Sequence, residues 1–425
     1  MIGHGFFILG LGQRGSSKVT SHFETTEFYC DLFPLGVSLI FTRRKGEMST
    51  LPQEVIEENI LTRLPVKSVL RFRCVCKNWC NNLFKNPHFI EIHLQRTVAV
   101  NNFNLLVINQ KTDHSKPTDI YICSVDHNVL SSKYLGKAVG IDYPFMSKKC
   151  ASQLIGSCNG LVCIELYGKI CIWNPYTKEY RQVPATPIES PSAVASCIQI
   201  SYGFGFDCKI DDYKLLRIVG FADNEVSEAR VYTLRSNSWK SLGFIQYDFS
   251  WDRNRGHLVD GVLHWIAVAR RTGSKASCVT VSFDICDETF RETSLPVNCW
   301  INHGMSELGT WEGKLCLVLK HKKDDAVVWT MKDYIWSKEF SITEEIADMI
   351  YGRPIQIFRN GEILFESYLW KEQKVGLMAY DTKLKRARVL KISSLPKLCD
   401  IEPFIGTLVS LNSATFLGQE KLEEE

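Results

Sequence analysis

Four groups of residues have types and spacings that could do chemistry. Gly10-Leu11-Gly12-Gln13-Arg14-Gly15 reads GxGxxG after the apolar run Phe6-Phe7-Ile8-Leu9, and Asp31 follows about twenty residues later. That is the outline of a dinucleotide cradle, with glycine turns against a pyrophosphate and a carboxylate on a ribose. The chemistry needs a strand before the glycines and an amphipathic helix after them. Ser16-Ser17-Lys18-Val19-Thr20-Ser21-His22 is poor in helix formers and carries no apolar stripe of helical period, so a cofactor is not expected. Cys74, Cys76 and Cys80 stand close together, but Cys-x-Cys-x3-Cys on a helix does not converge on a tetrahedral zinc site without further ligands. Asp207, Asp260, Asp284 and Asp381 each sit beside a strand end. They could ring an opening as carboxylates or, as favoured here, satisfy turn amides. Trp173, Trp239, Trp265, Trp311, Trp329 and Trp336 could form a ligand platform, although packing between sheets is the expected use of most of them. His264 alternates with Leu263 and Trp265 and is read as a hydrogen-bonded structural histidine. Nucleophile elbow, HExxH and P-loop patterns do not occur, so no catalytic or metal residue is assigned.

The bulk composition is that of an ordinary globular protein. The 425 residues allow two or three domains, with 45% hydrophobic and 23% charged residues. A formal net charge of +3 offers no general electrostatic case for a nucleic-acid or membrane partner. Sixteen cysteines are spread thinly along a chain with an ample apolar core, which reads as reduced thiols in the cytoplasm or nucleus. The apolar stretch at 32–41 is far too short to cross a bilayer. Four parts are expected: a poorly ordered extension over 1–47, a helical module over 48–95, a β-region over 96–415, and a charged tail over 416–425. Met48 would make a natural start for the folded protein.

In the helical module, Pro52 suits a first-turn position. Ile56, Ile60 and Leu64 recur every four residues, with Leu61 alongside, as one apolar face. Pro65 ends that helix, Ser68 is placed to cap the next, and a third piece is expected over 80–84, with a turn at Asn86-Pro87. So few residues cannot bury this much apolar surface internally, so one side is expected to dock on a partner. The run Leu64-Pro65-Val66-Lys67-Ser68, then Arg71-Phe72-Arg73-Cys74-Val75-Cys76-Lys77 and Trp79, resembles the F-box of plant proteins. The resemblance implies a trihelical module that binds a Skp-family adaptor and, through it, a cullin. Carried over position by position, the adaptor-facing residues are Leu51, Pro52, Ile60, Leu64, Pro65, Val66, Leu70, Cys74, Val75, Cys76 and Trp79. Phe72, Ile56 and also Trp79 can equally be the module's own core. This chain departs from the family at one point. Eleven residues, 53–63, separate Leu51-Pro52 from Leu64-Pro65 where the family has ten. Asn59 is the candidate insertion, absorbed as a π-bulge or at a frayed helix start.

Beyond residue 96, short β-branched and aromatic runs alternate with turn clusters. Gly160, Gly205, Gly261, Gly313 and Gly361 recur at intervals of about fifty residues, each opening a similar group of strands. A four-stranded sheet cannot cover both its faces alone, whereas radial stacking buries them, so a β-propeller is expected. Six blades fit best, with seven as the alternative; the strands over 105–134 supply a less regular blade, and 404–409 returns as a closing strand. A β-sandwich is the competing fold, disfavoured by the period. Gly156-Ser157-Cys158-Asn159-Gly160-Leu161, Trp173-Asn174-Pro175, Tyr202-Gly203-Phe204-Gly205-Phe206-Asp207, and Val259-Asp260-Gly261-Val262-Leu263-His264-Trp265 also resemble the plant F-box-associated domain. The resemblance implies an α+β multidomain chain: a three-helix F-box module, then an all-β, propeller-like domain that recruits a protein target. The implied function is that of a non-catalytic substrate receptor in a Skp-cullin-F-box ubiquitin ligase. The alternatives are a binding scaffold without a ligase link or, less favoured, a propeller enzyme. Target contacts are expected on loops such as 222–227 and 270–276.

Overall fold

Short runs of β-branched and aromatic residues, punctuated by Asn-Gly and Asp-Gly, lead to antiparallel hairpins. The computed structural model has that form from Asn104 to Phe404. The residues described are 28–32, 37–41, 55–81, 83–101, 103–109, 122–126, 129–130, 136–143, 152–166, 168–191, 196–222, 226–249, 255–269, 277–296, 304–311, 313–321, 325–343, 346, 352–358, 360–369, 373–396 and 399–412. The chain divides into two compact units, Met1–Val100 with Gly406–Leu408, and Asn101–Ile405 with Val409–Glu425, each treated by itself below.

The first unit contains an antiparallel strand pair, Phe28–Leu32 with Val37–Phe41, within the leader. The GxGxxG motif lies outside the described residues. A π-helical stretch, Val55–Ile60, runs into a 3-10 turn, Leu61–Arg63. Three α-helices follow: α1 (Val66–Phe72), α2 (Lys77–Asn81) and α3 (Pro87–Val100). Leu64 is extended (φ −78°, ψ 149°) before Pro65, as the proline ring demands. Two expectations are corrected here. Ser68 is not the N-cap of α1: the helix begins at Val66 with Pro65 in the cap position, and Ser68 is buried inside it. Asn86-Pro87 is not a simple turn but the start of α3, the longest helix described in the unit. Asn86 Oδ1 accepts the His88 N–H (2.9 Å) and Pro87 fills the first turn, where its missing N–H costs nothing.

The second unit is a six-bladed propeller. In chain order of their outer strands, blade 1 comprises Cys399–Phe404, Asn104–Asn109, Ile122–Val125 and Val139–Gly140. Blade 2 comprises Ser152–Cys158, Leu161–Leu166, Lys169–Trp173 and Tyr180–Gln182. Blade 3 comprises Cys197–Asp207, Asp212–Phe221, Ser227–Thr233 and Ser238–Ile245. In blade 4, Tyr247–Asp248 and His257–Val259 both pair with Val262–Ala269, followed by Ser277–Asp284 and Thr289–Ser294. Blade 5 comprises Gly304–Trp311, Lys314–His321, Ala326–Lys332 and Ile335–Ile342. Blade 6 comprises Pro354–Ile357, Glu362–Leu369, Lys374–Asp381 and Arg386–Val389. Apolar clusters fill the spaces between neighbouring blades: Leu106, Ile108, Val162 and Trp173 between blades 1 and 2, for example, and Val318, Val328, Phe365 and Tyr380 between 5 and 6.

The ring closes on an earlier segment than expected. Cys399–Phe404, not 404–409, pairs with Asn104–Asn109. Residues 409–411 are instead clasped by blade 2: Asn174 Nδ2 donates to the Val409 carbonyl (2.8 Å), and Arg181 donates to the Leu411 carbonyl (2.7 Å). The glycine period also needs one correction. Gly160, Gly261, Gly313 and Gly361 have φ between 72° and 86°, in the turn before the second strand of their blades. Asn159-Gly160 and Asp260-Gly261 both have two positive φ values, the type I′ hairpin. Gly205 lies inside the inner strand of blade 3, where a Cβ would stand 2.1 Å from Ile285 Cδ1. It is retained for close approach of blade 4, and the equivalent turn is Cys208-Lys209-Ile210-Asp211.

Candidate docking surfaces

The helical unit builds its core from an aromatic ladder. Phe72 meets Trp79 (6.3 Å between ring centroids), Trp79 meets Phe84 (6.2 Å), Phe84 meets Phe89 (5.5 Å), and Phe89 meets His93 (6.2 Å). Ile56, Leu61, Leu64, Val66, Val69, Ile90 and Leu94 are buried with them. His93 Nε2–H donates to the Leu64 carbonyl (2.8 Å), tying α3 to the extended residue before Pro65. Burial holds the His93 imidazole below its usual range, the hydrogen bond to Leu64 opposing and the nearby Arg96 charge assisting.

The extra residue of the first helix is accommodated as a π-turn, the first of the two forms expected from its length. Widening the turn frees carbonyls from the regular ladder. Glu58 O is taken up by the Thr62 hydroxyl and by the Arg96 guanidinium (2.6 Å for the latter). The Trp79 indole N–H donates to Glu57 Oε1 (2.9 Å), so side chains hold the irregular turn against α2 and α3.

The predicted adaptor-facing residues separate into two sets. Leu64, Val66 and Trp79 are buried, at 5%, 4% and 2% exposure, inside the unit. In this chain they stand in the core of the unit, among the aromatic rings. Ile56 and Phe72 are core as well. Pro65 and Cys74 are exposed, and Ile60, Leu70, Val75 and Cys76 are half-buried. Leu51 and Pro52 lie outside the described residues. The exposure of Cys74 and the partial exposure of Leu70 and Val75 leave apolar atoms at the surface of a unit whose core is already filled.

Several of the propeller residues singled out in the sequence have structural partners. Asp284 Oδ1 accepts the Cys286 and Asp287 N–H groups (2.9 and 2.8 Å), and Asp381 Oδ1 accepts those of Lys383 and Leu384 (2.9 Å each). Asp207 accepts the Lys209 N–H (2.9 Å) and pairs with Lys214 (2.7 Å). These are the turn roles expected of them. Trp265 donates to Ser201 Oγ (2.9 Å) and Trp239 to the Pro184 carbonyl (2.8 Å). His264 Nδ1 lies 2.8 Å from Ser282 Oγ, and burial pushes its pKa down to about 4.

A cluster that sequence reading missed lies along the inner strands. Arg255 pairs with Asp400 (2.9 Å) and Glu402 (3.5 Å), and Arg353 pairs with Glu366 (3.0 Å) and Glu402 (3.8 Å). Arg255 also donates to the Leu154 and Ile401 carbonyls (3.2 Å each), and Arg353 to Ile401 O. Burial raises the Glu402 carboxyl above its usual range while the two guanidinium groups pull it down. The cluster joins the closing strand of blade 1 to blades 2, 4 and 6. No signal in the sequence marks it, since its members come from three distant segments with no shared spacing.

The family description "F-box associated beta propeller domain" matches residues 104–407, and "F-box domain" matches residues 48–86. An F-box/kelch-repeat protein of Arabidopsis thaliana is 30% identical over 383 residues, covering 87% of this chain and 98% of its own. The F-box protein CPR1 of the same plant is 26% identical over 410 residues, covering 89% and 94%. A further Arabidopsis F-box protein is 28% identical over 405 residues, covering 85% and 92%. The chain therefore belongs to the plant F-box proteins that carry an F-box-associated β-propeller domain.

Proposed function

We propose that the chain is the substrate-receptor subunit of a Skp-cullin-F-box ubiquitin ligase, working in the cytoplasm or nucleus. The helical unit docks on a Skp-family adaptor, which links it to a cullin. The propeller holds a protein target through its loops. The contribution to rate is proximity: the target's lysines are held at high effective concentration near a charged ubiquitin-carrying enzyme, and no side chain of this chain performs the transfer. The observation that carries this reading is the surface of the helical unit. Its own core is complete, yet Ile60, Pro65, Leu70, Cys74, Val75 and Cys76 remain wholly or partly exposed. An apolar set of that kind on a small module favours a partner. Leu51 and Pro52 are assigned to the same contact.

The test is co-purification of the full chain with a Skp-family adaptor, with and without the paired substitutions Leu70→Glu and Cys74→Glu. Burying unpaired charge should weaken capture by about tenfold or more while leaving the helical circular dichroism unchanged. Failure of the unaltered chain to bind any such adaptor removes the ligase reading. Full binding by the folded double variant overturns this surface.

A further inference from the structure

One corner of the propeller brings two sulfur atoms together across a blade boundary. Cys208 opens the turn after the inner strand of blade 3, and Cys286 lies in the turn after the third strand of blade 4. Their Sγ atoms are 3.7 Å apart although 78 positions separate them in sequence. Both are free thiols, Cys208 exposed and Cys286 half-buried. A disulfide requires about 2.05 Å between sulfurs, so an approach of under about 2 Å, within reach of side-chain rotation, joins them.

The two turns are held in register by charge. Lys209 pairs with Asp287, Lys214 with both Asp207 and Glu288 (2.7 Å each), and Lys240 with Glu288 (2.6 Å). Lys214 Nζ also donates to the Ile285 carbonyl (3.0 Å). Gly205 lets Ile285 pack directly on the blade 3 backbone. Apart from Lys214–Asp207, which lies within blade 3, these contacts cross from blade 3 to blade 4 and hold the two turns together.

We infer that Cys208 and Cys286 are an oxidisable dithiol whose disulfide staples blade 3 to blade 4. A low-molecular-weight disulfide is the oxidant. Cys208, the exposed sulfur, attacks as thiolate; the S–S bond of the reagent breaks, and one small thiolate leaves, taking up the proton that Cys208 lost. Cys286 then attacks the Cys208 sulfur of the mixed disulfide, and the second small thiolate leaves with the Cys286 proton. Two protein thiols are oxidised and one reagent disulfide is reduced to two thiols. Burial and the Asp207 carboxylate push the Cys286 thiol up to about 11, which suits it to resolve and not to initiate. Of the loops expected to hold a target, residues 223–225 and 270–276 lie outside the described residues.

The full chain is treated with glutathione disulfide, remaining thiols are blocked, and peptides are mapped without reduction. A linked peptide pair containing Cys208 and Cys286, reversed by dithiothreitol, is expected, with a rise of a few degrees in Tm. Cys286→Ser should leave a stable glutathione adduct on Cys208, and Cys208→Ser should leave Cys286 unmodified. Cys197, also exposed, serves as the internal control for simple adduct formation. A persistent adduct on Cys208 in the unaltered chain with Cys286 still free overturns the inference. So does modification of Cys197 with Cys208 untouched.

Discussion

The two units solve the burial problem in opposite ways. The propeller covers the faces of its sheets with its own neighbouring blades, closes its ring with Cys399–Phe404, and pairs the charges it buries there. The helical unit fills a small aromatic core and still leaves apolar side chains at its surface. A short helical module has too little interior for its apolar residues. A ring of stacked sheets has enough, and can give its surface to loops. The difference is what the proposed adaptor contact on the helical unit rests on.

The largest effect should come from breaking the ring's charge cluster. Arg353→Ala leaves Glu366 and Glu402 short of a partner in a buried setting, which should cost about 3–5 kcal/mol. Urea unfolding monitored on propeller tryptophans checks this, and the signal of the helical unit should not move. A cost under about 1 kcal/mol would mean that the cluster is solvated and not a closure device. Of similar size, Trp79→Ala removes the centre of the aromatic ladder and should destabilise the helical unit by about 3–5 kcal/mol. Adaptor capture should fall with it while the propeller's thermal transition stays in place. A common shift of both transitions would erase the distinction between self-sufficient and dependent units.

An acid dependence should follow from His264. Its folded pKa of about 4 lies below the ordinary 6.5, so the folded state prefers the neutral ring. The associated stability is fully present above pH 6.5, is lost as pH falls from 6.5 to about 4, and amounts to about 3 kcal/mol. Unfolding midpoints at pH 7.5, 5.5 and 4.5 measure it, and His264→Gln should flatten that part of the curve. The smallest effect is at the start of α3. Asn86→Ala removes the acceptor of the His88 N–H and should cost about 1 kcal/mol, read as lost helicity in the first unit alone.

Much of the helical unit was legible because its determinants are local. Pro65 forces Leu64 out of helical geometry, and the extra residue before it left a π-bulge or a frayed helix start, of which the first is seen. The third helix was misread because Asn86-Pro87 signals a turn and a helix start equally well. Local pattern likewise gave the strands and the blade count, since Asn-Gly and Asp-Gly turns recur at a fixed interval. Gly205 broke the register because a glycine kept for close packing looks in sequence like one kept for a turn.

By itself, then, the amino-acid sequence determined the order of helical module and β-repeat, the hairpin turns at Asn159-Gly160 and Asp260-Gly261, and the family to which the chain belongs. Only the tertiary structure decided which F-box residues are core and which are surface, which strand closes the ring, and that Arg255, Arg353, Glu366, Asp400 and Glu402 meet. It alone also placed Cys208 against Cys286. Turns and helix stops depend on a residue and its nearest neighbours. Burial, ion pairing and sulfur–sulfur approach depend on which distant segments the fold brings together.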